Sequence, residues 1–222
     1  MTGDLSAHPT VVVDTLRATT TIVAILANGG EGVLPVAEME QALAMRARFP
    51  EALVGGERNN RKPKGFDAGN SPREFPPERV RGRRVILTTT NGTQAIARCQ
   101  SAPWLAAGAL VNATAVGLAL WEQGGDALVV CAGGRGYPAL EDVLAAGAVV
   151  ELWPRAAWGD GARIAAAVWH QARDRLLDTV REAVHARELE TMHLVEDVIW
   201  AAQKDYCPVV PIRRRDGWFQ LG

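Results

Sequence analysis

Short runs of β-branched and aliphatic residues alternate with longer stretches of helical periodicity along most of the chain. Thr10 to Asp14 (TVVVD) is an apolar run closed by an acid and predicts a buried strand. Thr20 to Asn28 predicts a helix, stopped by Asn28, Gly29 and Gly30. Gly32 to Ala37 predicts a second strand. Glu38 to Phe49, apolar at Met39, Ala42, Leu43 and Met45, predicts an amphipathic helix. Ala52 to Val54 is a short strand running into Gly55 and Gly56. The alternation resumes with a strand at Val85 to Thr90, a helix at Gly92 to Cys99 and a strand at Trp104 to Ala107. A helix at Ala113 to Glu122, a strand at Ala127 to Cys131 and a helix at Leu140 to Leu152 follow. From about Trp158, and above all over Asp160 to Asp205, the pattern is almost entirely helical, with a break expected near Asp178 or Ala186. Pro208 to Arg213 predicts a last strand. Strands separated by helices imply right-handed crossovers, a mostly parallel sheet and helices on both faces, a three-layer α/β/α fold. A single domain over residues 1–222 is expected, with two tightly packed α/β subdomains as the other division; no linker and no fixed-period repeat is visible.

Glu57 to Arg84 breaks the pattern. Pro and Gly punctuate it from Pro63 to Pro77, and it is too long for an ordinary connector, which marks a functional or disordered loop. It carries nine cations against four acids, a net of +5, which leaves −6 for the rest of a chain whose net charge is −1. Such a loop would focus an anionic substrate, or be a solvated surface with no ligand.

Composition narrows the classes. At 48% hydrophobic and 22% charged residues, the chain is that of a folded protein. The near-zero net charge argues against a nucleic-acid binder that works by phosphate neutralisation. Three cysteines without CxxC spacing give neither a disulfide framework nor a zinc knuckle, so a reducing, cytoplasmic setting is expected. Met1 to His8 has no basic leader, and no apolar run reaches the roughly 18 residues of a transmembrane helix. There are 21 Arg against 3 Lys; with 36 Ala this reads as coding bias, although Arg also suits a forked grip on phosphate.

In open α/β sheets ligands sit beyond the carboxyl ends of strands, and three such turns are unusually polar. The first is Asp14-Thr15-Leu16-Arg17-Ala18-Thr19-Thr20-Thr21. Its acid would hold Mg²⁺ or attack a phosphoryl group, Arg17 would fork onto phosphate oxygens, and Thr19 and Thr20 would contact substrate or simply cap the helix. The second is Thr88-Thr89-Thr90-Asn91-Gly92-Thr93, with hydroxyls, an amide and a permissive glycine where an anion would approach. The third, Cys131-Ala132-Gly133-Gly134-Arg135-Gly136, offers a backbone anion nest and runs on to Glu141 and Asp142. Adjacent helical residues point about 100° apart, so one of those two acids is expected to face a site.

The loop adds Gly55-Gly56-Glu57-Arg58 and Gly65-Phe66-Asp67-Ala68-Gly69-Asn70-Ser71-Pro72. Asp14, Glu57, Asp67 and Glu141 or Asp142 would then converge as oxygen ligands, and an oxygen-only set favours Mg²⁺ over zinc. His8, His170, His185 and His193 lack ligand spacing and read as surface or packing residues. Cys131 ends a strand beside the nest, as a nucleophile or a buried structural thiol.

The segments VVVDTLRATTTI, GGER, GFDAGNSP, TTTNGT and CAGGRGYPALEDVLAAG, in that order, resemble the 2-phosphosulfolactate phosphatase family, known as ComB. The resemblance covers about Val11 to Val150; beyond it, Asp197 stands in the place of a family acid, with alanines where the family carries a cysteine. It implies the α/β fold particular to that family and a Mg²⁺-dependent phosphatase. That enzyme would convert 2-phospho-3-sulfolactate to 3-sulfolactate and phosphate, in coenzyme M biosynthesis. A small substrate with two anionic ends needs two anion pockets. The expected site places Mg²⁺ between Asp14 and Glu57, with Asp67 or Asp142 completing the acids. Arg17 faces the phosphoryl oxygens; Asn91 and the backbone near Gly92 hold phosphate or sulfonate; Arg58 and Arg135 contact the sulfonate. Thr90, Thr93, Asn70, Ser71 and Gly133 complete the expected substrate contacts. The nucleophile stays open between water and Asp14. The haloacid-dehalogenase pattern is not indicated, because Leu16 stands where its second Asp would be. The alternatives are a phosphatase of another small phosphorylated hydroxy acid, or a non-catalytic anion-binding protein on the same scaffold. Partners beyond the substrate are a second copy of the chain, through the tryptophan-bearing late helices; no nucleic acid or membrane is expected.

Overall fold

Val11, Val12 and Val13 are wholly buried, and the strand they form lies next to last in an eight-stranded sheet of order β3-β4-β2-β8-β7-β5-β1-β6. The computed structural model describes residues 5–222. In chain order the elements are β1 (Thr10–Val13), α1 (Ala18–Ala27), β2 (Gly32–Pro35), α2 (Met39–Arg48), β3 (Leu53–Gly56) and α3 (Pro77–Val80). Then come β4 (Arg84–Thr88), α4 (Gly92–Arg98), β5 (Leu105–Gly108), α5 (Ala113–Glu122), β6 (Leu128–Cys131) and α6 (Leu140–Val150). The chain continues through α7 (Asp160–Ala172), α8 (Leu176–Arg181), α9 (Val184–Thr191), α10 (Val195–Ala201), β7 (Pro211–Arg213) and β8 (Phe219–Leu221). This is the expected three-layer α/β/α architecture. The reading of Met1 to His8 falls, for residues 1–4, outside the described residues.

The sheet consists of two parallel triplets. In one, β1 pairs with β5 and β6; in the other, β4 pairs with β2 and β3. The hairpin β7–β8 joins them, antiparallel to β5 on one side and to β2 on the other. The two triplets therefore run in opposite directions within one sheet. The sheet curls, so their carboxyl ends meet: the start of α4, beyond β4, packs on Asp14, beyond β1.

Burial explains which helices are amphipathic. Residues Ala18 to Leu26 of α1 are buried all round, because α1 fills the curl. There Ile22, Ile25 and Leu26 pack with Val12 and Val130 of one triplet and Val33, Val85 and Leu87 of the other. By contrast α2 buries only Ala42 fully and covers the outer face of the second triplet with Met39 and Met45. It stops at Phe49, before Pro50, as a chain must that meets proline. The outer face of the first triplet is covered by the late helices through Leu144, Val149, Trp169, Leu189 and Val198.

Three expectations change. The late helical stretch breaks at Arg173–Arg175, at Glu182 and Ala183, and from Met192 to Leu194, not at Asp178 or Ala186. Ala186 is fully buried inside α9, and packing overrides the polar residues around it. Pro208 to Arg213 is not a lone final strand: β7 is one arm of a hairpin, and Phe219, wholly buried against Val33, anchors the other. The long loop is ordered, with α3, a 3₁₀ turn at Pro72–Glu74 and a bridge from Ala68 to Gly55. Among the described residues, no helix is long and apolar enough to cross a membrane.

Candidate active site

Asp14 is the first residue beyond β1. Its Oδ1 accepts a hydrogen bond from the Ala18 amide at 3.2 Å, in the first turn of α1. The Thr19 hydroxyl accepts from the Asp14 amide at 2.9 Å and donates to the Asp14 carbonyl at 2.8 Å. Thr20 donates to the Thr15 carbonyl at 2.7 Å. Both threonines, expected at the substrate, are committed to the turn that presents Asp14. The Leu16–Arg17 peptide is cis.

Glu57 leaves β3 through Gly56, whose φ of 149° is the glycine region; a Cβ there would strike the Thr88 carbonyl of β4. Glu57 Oε1 accepts from the Thr90 amide at 2.7 Å and Oε2 from the Asn60 amide at 2.8 Å. Asn59 and Asn60 are both left-handed, with φ of 52° and 60°, a conformation Asn tolerates better than most residues. Asn60 Oδ1 lies 3.1 Å from Nε2 of His185, at the start of α9, and His185 Nδ1 is 3.8 Å from Glu141 Oε1.

Glu141 and Asp142 open α6, and both are buried. Asp142 Oδ1 accepts from the Thr15 amide at 2.8 Å and Oδ2 from the Gly133 amide at 3.0 Å, so it ties the turn after β1 to the turn after β6. Glu141, turned away from it around the helix, lines a cavity of about 560 Å³ together with Glu57, Asn60, Thr90, Asn91, Arg135 and His185. The remaining wall is largely apolar: Tyr137, Pro138, Leu140 and Val184.

Burial and crowding of like charge set the protonation chemistry. Burial pushes the Asp14 carboxyl up to about 7; Glu141 and Glu57 add to the rise, against the Ala18 amide and Arg17. Burial, then Asp14 and Glu141, hold Asp142 well above the ordinary carboxylate range, and burial also raises Glu141. Burial lowers His185, and Arg17 lowers it further. Burial and Asp142 push the Cys131 thiol up to about 12, the reverse of what a nucleophilic thiolate needs, which corrects the catalytic expectation for Cys131.

Other expected residues lie elsewhere. The Asp67 carboxylate pairs with Arg46 and accepts from the Val54 amide at 2.8 Å, so it pins the loop to β3 and stands outside the acid cluster. Arg58 donates to the carbonyls of Glu57 at 2.7 Å and Ala37 at 3.2 Å and to the Thr88 hydroxyl at 3.0 Å, acceptors that hold it away from any sulfonate. Thr93 exchanges hydrogen bonds with Thr89, capping α4. Asn70 and Ser71 are buried; Ser71 donates to Asp197 at 2.6 Å. Gly92 packs on Asp14, and Gly133 serves Asp142. Arg135 is 82% exposed and pairs with Glu188 at 2.9 Å, both at the cavity wall. None of the loop's nine cations lines the cavity, so the loop's charge does not form the pocket; Arg79 and Arg83, for example, bond backbone carbonyls. Arg17 is 3% exposed and bonded through Nη1 to Asp197 Oδ2 at 2.6 Å. His185 and Asn60 join the cavity unanticipated. Only the Asn59-Asn60 pair signalled its left-handed turn; nothing in the spacing of His185 could.

Asp14 and Glu57, just beyond β1 and β3, and Glu141 and Asp142, at the start of α6, are all buried, which makes this an α/β protein with acids gathered on its strand-end side, two of them, Glu57 and Glu141, lining a pocket. Among the described residues, no three His, Cys, Asp or Glu side chains stand together closely enough to hold a metal ion. The family model described as 2-phosphosulpholactate phosphatase matches residues 2–216, so the chain belongs to that family and is an enzyme of the phosphatase class. A protein of Thermotoga petrophila is 43% identical over 201 residues, covering 90% of this chain and 87% of its own. One of Caldanaerobacter subterraneus is 36% identical over 213 residues, covering 94% and 88%. One of Nostoc punctiforme is 35% identical over 225 residues, covering 96% and 92%. Each is named probable 2-phosphosulfolactate phosphatase.

Proposed function

We propose that this chain is a Mg²⁺-dependent phosphatase that hydrolyses 2-phospho-3-sulfolactate to 3-sulfolactate and phosphate, a coenzyme M biosynthetic type of step, in the cytoplasm. One observation carries the reading: Glu57 and Glu141 line one cavity, and both repel the buried Asp14 carboxylate, which burial and those neighbours raise to about 7. A cation relieves that repulsion and lets an anionic phosphate approach. The donor set fits Mg²⁺, which is held through one or two carboxylates, water and substrate phosphate rather than by a closed cage. Asp14 and Glu57 would hold it, with Glu141 beside them, and it would supply Lewis-acid polarisation of the phosphoryl group.

The chain's own residues supply the rest. Arg17 balances charge on the phosphoryl oxygens as it builds toward the transition state. Asn91 donates to the bound anion from the cavity wall. Arg135 exchanges Glu188 for the sulfonate. Asp14 acts at the attacking side, as the base for a water or as the nucleophile. Borohydride, which reduces an aspartyl phosphate to homoserine, separates the two: trapping at Asp14 during turnover marks the nucleophile, and its absence marks the water.

The test is phosphate release from 2-phosphosulfolactate with Mg²⁺ and with EDTA, alongside phospholactate and p-nitrophenyl phosphate. Release that needs Mg²⁺ and favours the sulfonate is expected. Equal or faster release from phospholactate would move the reading to another small phosphorylated hydroxy acid, which the apolar wall of Tyr137, Pro138, Leu140 and Val184 favours. No release by folded protein would leave a non-catalytic anion binder. We also propose a homodimer, supported by the groove that Trp121, Trp153 and Trp158 line beside α5, α6 and edge strand β6; light scattering at a mass of one chain would remove it.

A further inference from the structure

We infer that Asp197 is a positioning residue for the phosphatase reaction: with Ser71 it holds the Arg17 guanidinium so that the Nε–Nη2 edge faces the substrate's phosphoryl group. The inference rests on the reading proposed above. Arg17, Ser71 and Asp197 come from the turn after β1, from the long loop and from α10, three regions far apart in sequence. They meet in the interior, with the Arg17 and Asp197 side chains 2% and 1% exposed.

Both Asp197 oxygens are engaged, Oδ2 by Arg17 Nη1 at 2.6 Å and Oδ1 by the Ser71 hydroxyl at 2.6 Å. A carboxylate fixed twice fixes what it binds, and charge-assisted bonds are the short, strong ones. Arg17 has five N–H groups. Among the described residues, Nη1 alone donates, to Asp197, and Nε is buried without a partner. Most buried polar side-chain groups are satisfied; among the described residues Arg17 Nε is one of five such atoms that are not, and the one in the turn that carries Asp14. The edge left over, Nε with Nη2, is the fork that matches two oxygens of a phosphate. Arg17 also bears electrostatically on both Asp14 and His185, so its charge is felt at the acid cluster and at the cavity wall. If Asp197 only stabilised the fold, a buried pair would be a poor means, since desolvation offsets most of its attraction.

The experiment uses two readouts on the full chain: kcat/KM for 2-phosphosulfolactate with Mg²⁺, and the affinity for inorganic phosphate by calorimetry. Arg17→Ala, Asp197→Asn and the double variant form a cycle, with circular dichroism melts to confirm folding. Asp197→Asn is expected to lower kcat/KM by roughly 10²-fold, mainly through kcat, and to weaken phosphate binding about tenfold. The double variant is expected to match Arg17→Ala alone, because Asp197 acts through Arg17. Added guanidinium ion is expected to rescue Arg17→Ala but not the double variant. Losses that multiply in the double variant, or equal rescue in both, would overturn the inference. If wild-type protein releases no phosphate from any substrate, the proposed function falls; the phosphate titration still decides the positioning, and unchanged affinity in Asp197→Asn refutes it. Should Asp197→Asn not fold, Ser71→Ala takes its place, with a several-fold loss of phosphate affinity expected and no loss refuting.

Discussion

Asp14 combines the site's chemistry and its cost to stability in one carboxyl. Raised from 3.8 to about 7, it binds its proton more tightly in the folded than in the unfolded chain. In the metal-free protein this group's contribution to stability is therefore favourable at low pH and is lost as pH rises from about 4 to about 7. Asp142, raised for the same reason, acts with the same sign. Asp14→Asn should remove part of that slope, so melts of the metal-free variant should gain on wild type between pH 5 and pH 7.5, roughly the titration window. The same variant should release no phosphate at any pH. A variant with wild-type turnover, or with an unchanged gap in melting temperature across that range, would contradict the role given to this carboxyl. The turns that carry Asp14, Arg17 and Glu57 were legible because polar residues follow apolar strands there; which of Glu141 and Asp142 turns to the cavity was not. Asp67 was misjudged because nothing in GFDAGNSP announces that Arg46, on a helix upstream, takes its carboxylate. His185 was missed because its partners, Asn60 and Glu141, are distant in sequence.

At the scale of elements, α1 and α4 place their first turns against each other, and that closeness depends on one atom's absence. A Cβ on Gly92 would stand 2.5 Å from the Ala18 Cβ and would strike Asp14 Oδ2 as well. Gly92→Ala should cost about 1–3 kcal/mol through overpacking, and should lower phosphate release more than tenfold by displacing Asp14. Gly161, in the first turn of α7, has open space around it. Gly161→Ala should stabilise by about 0.4–1 kcal/mol and leave kcat/KM unchanged, which separates a local clash from a general effect of adding a methyl. Urea unfolding with parallel assays checks both. The strand–helix alternation up to α6 was readable because most of its apolar runs ended in Gly, Asn, Pro or an acid. The breaks among α7 to α10 were not, since burial of Ala186, Leu189 and Val198 against the sheet outweighs local propensity.

At the scale of the whole molecule, two parallel triplets depend on a single hairpin. A parallel sheet with crossover helices followed from the alternation, but the reversal of direction between the triplets did not. It rests on β7 and β8, three residues each, too short to show a period. Phe219 is wholly buried where β8 meets β2. Phe219→Ala should destabilise by about 3–5 kcal/mol and narrow the gap between folded and unfolded states for the entire chain, not for one end of it. Two separated unfolding transitions in wild type would argue against that single unit. Because synthesis proceeds from the amino end, the hairpin emerges after the six strands it unites. Until then the halves that carry Asp14 and Glu57 meet only through helices such as α1, which packs on strands of both triplets. The continuous eight-stranded sheet is therefore closed last, as translation of these strands is completed.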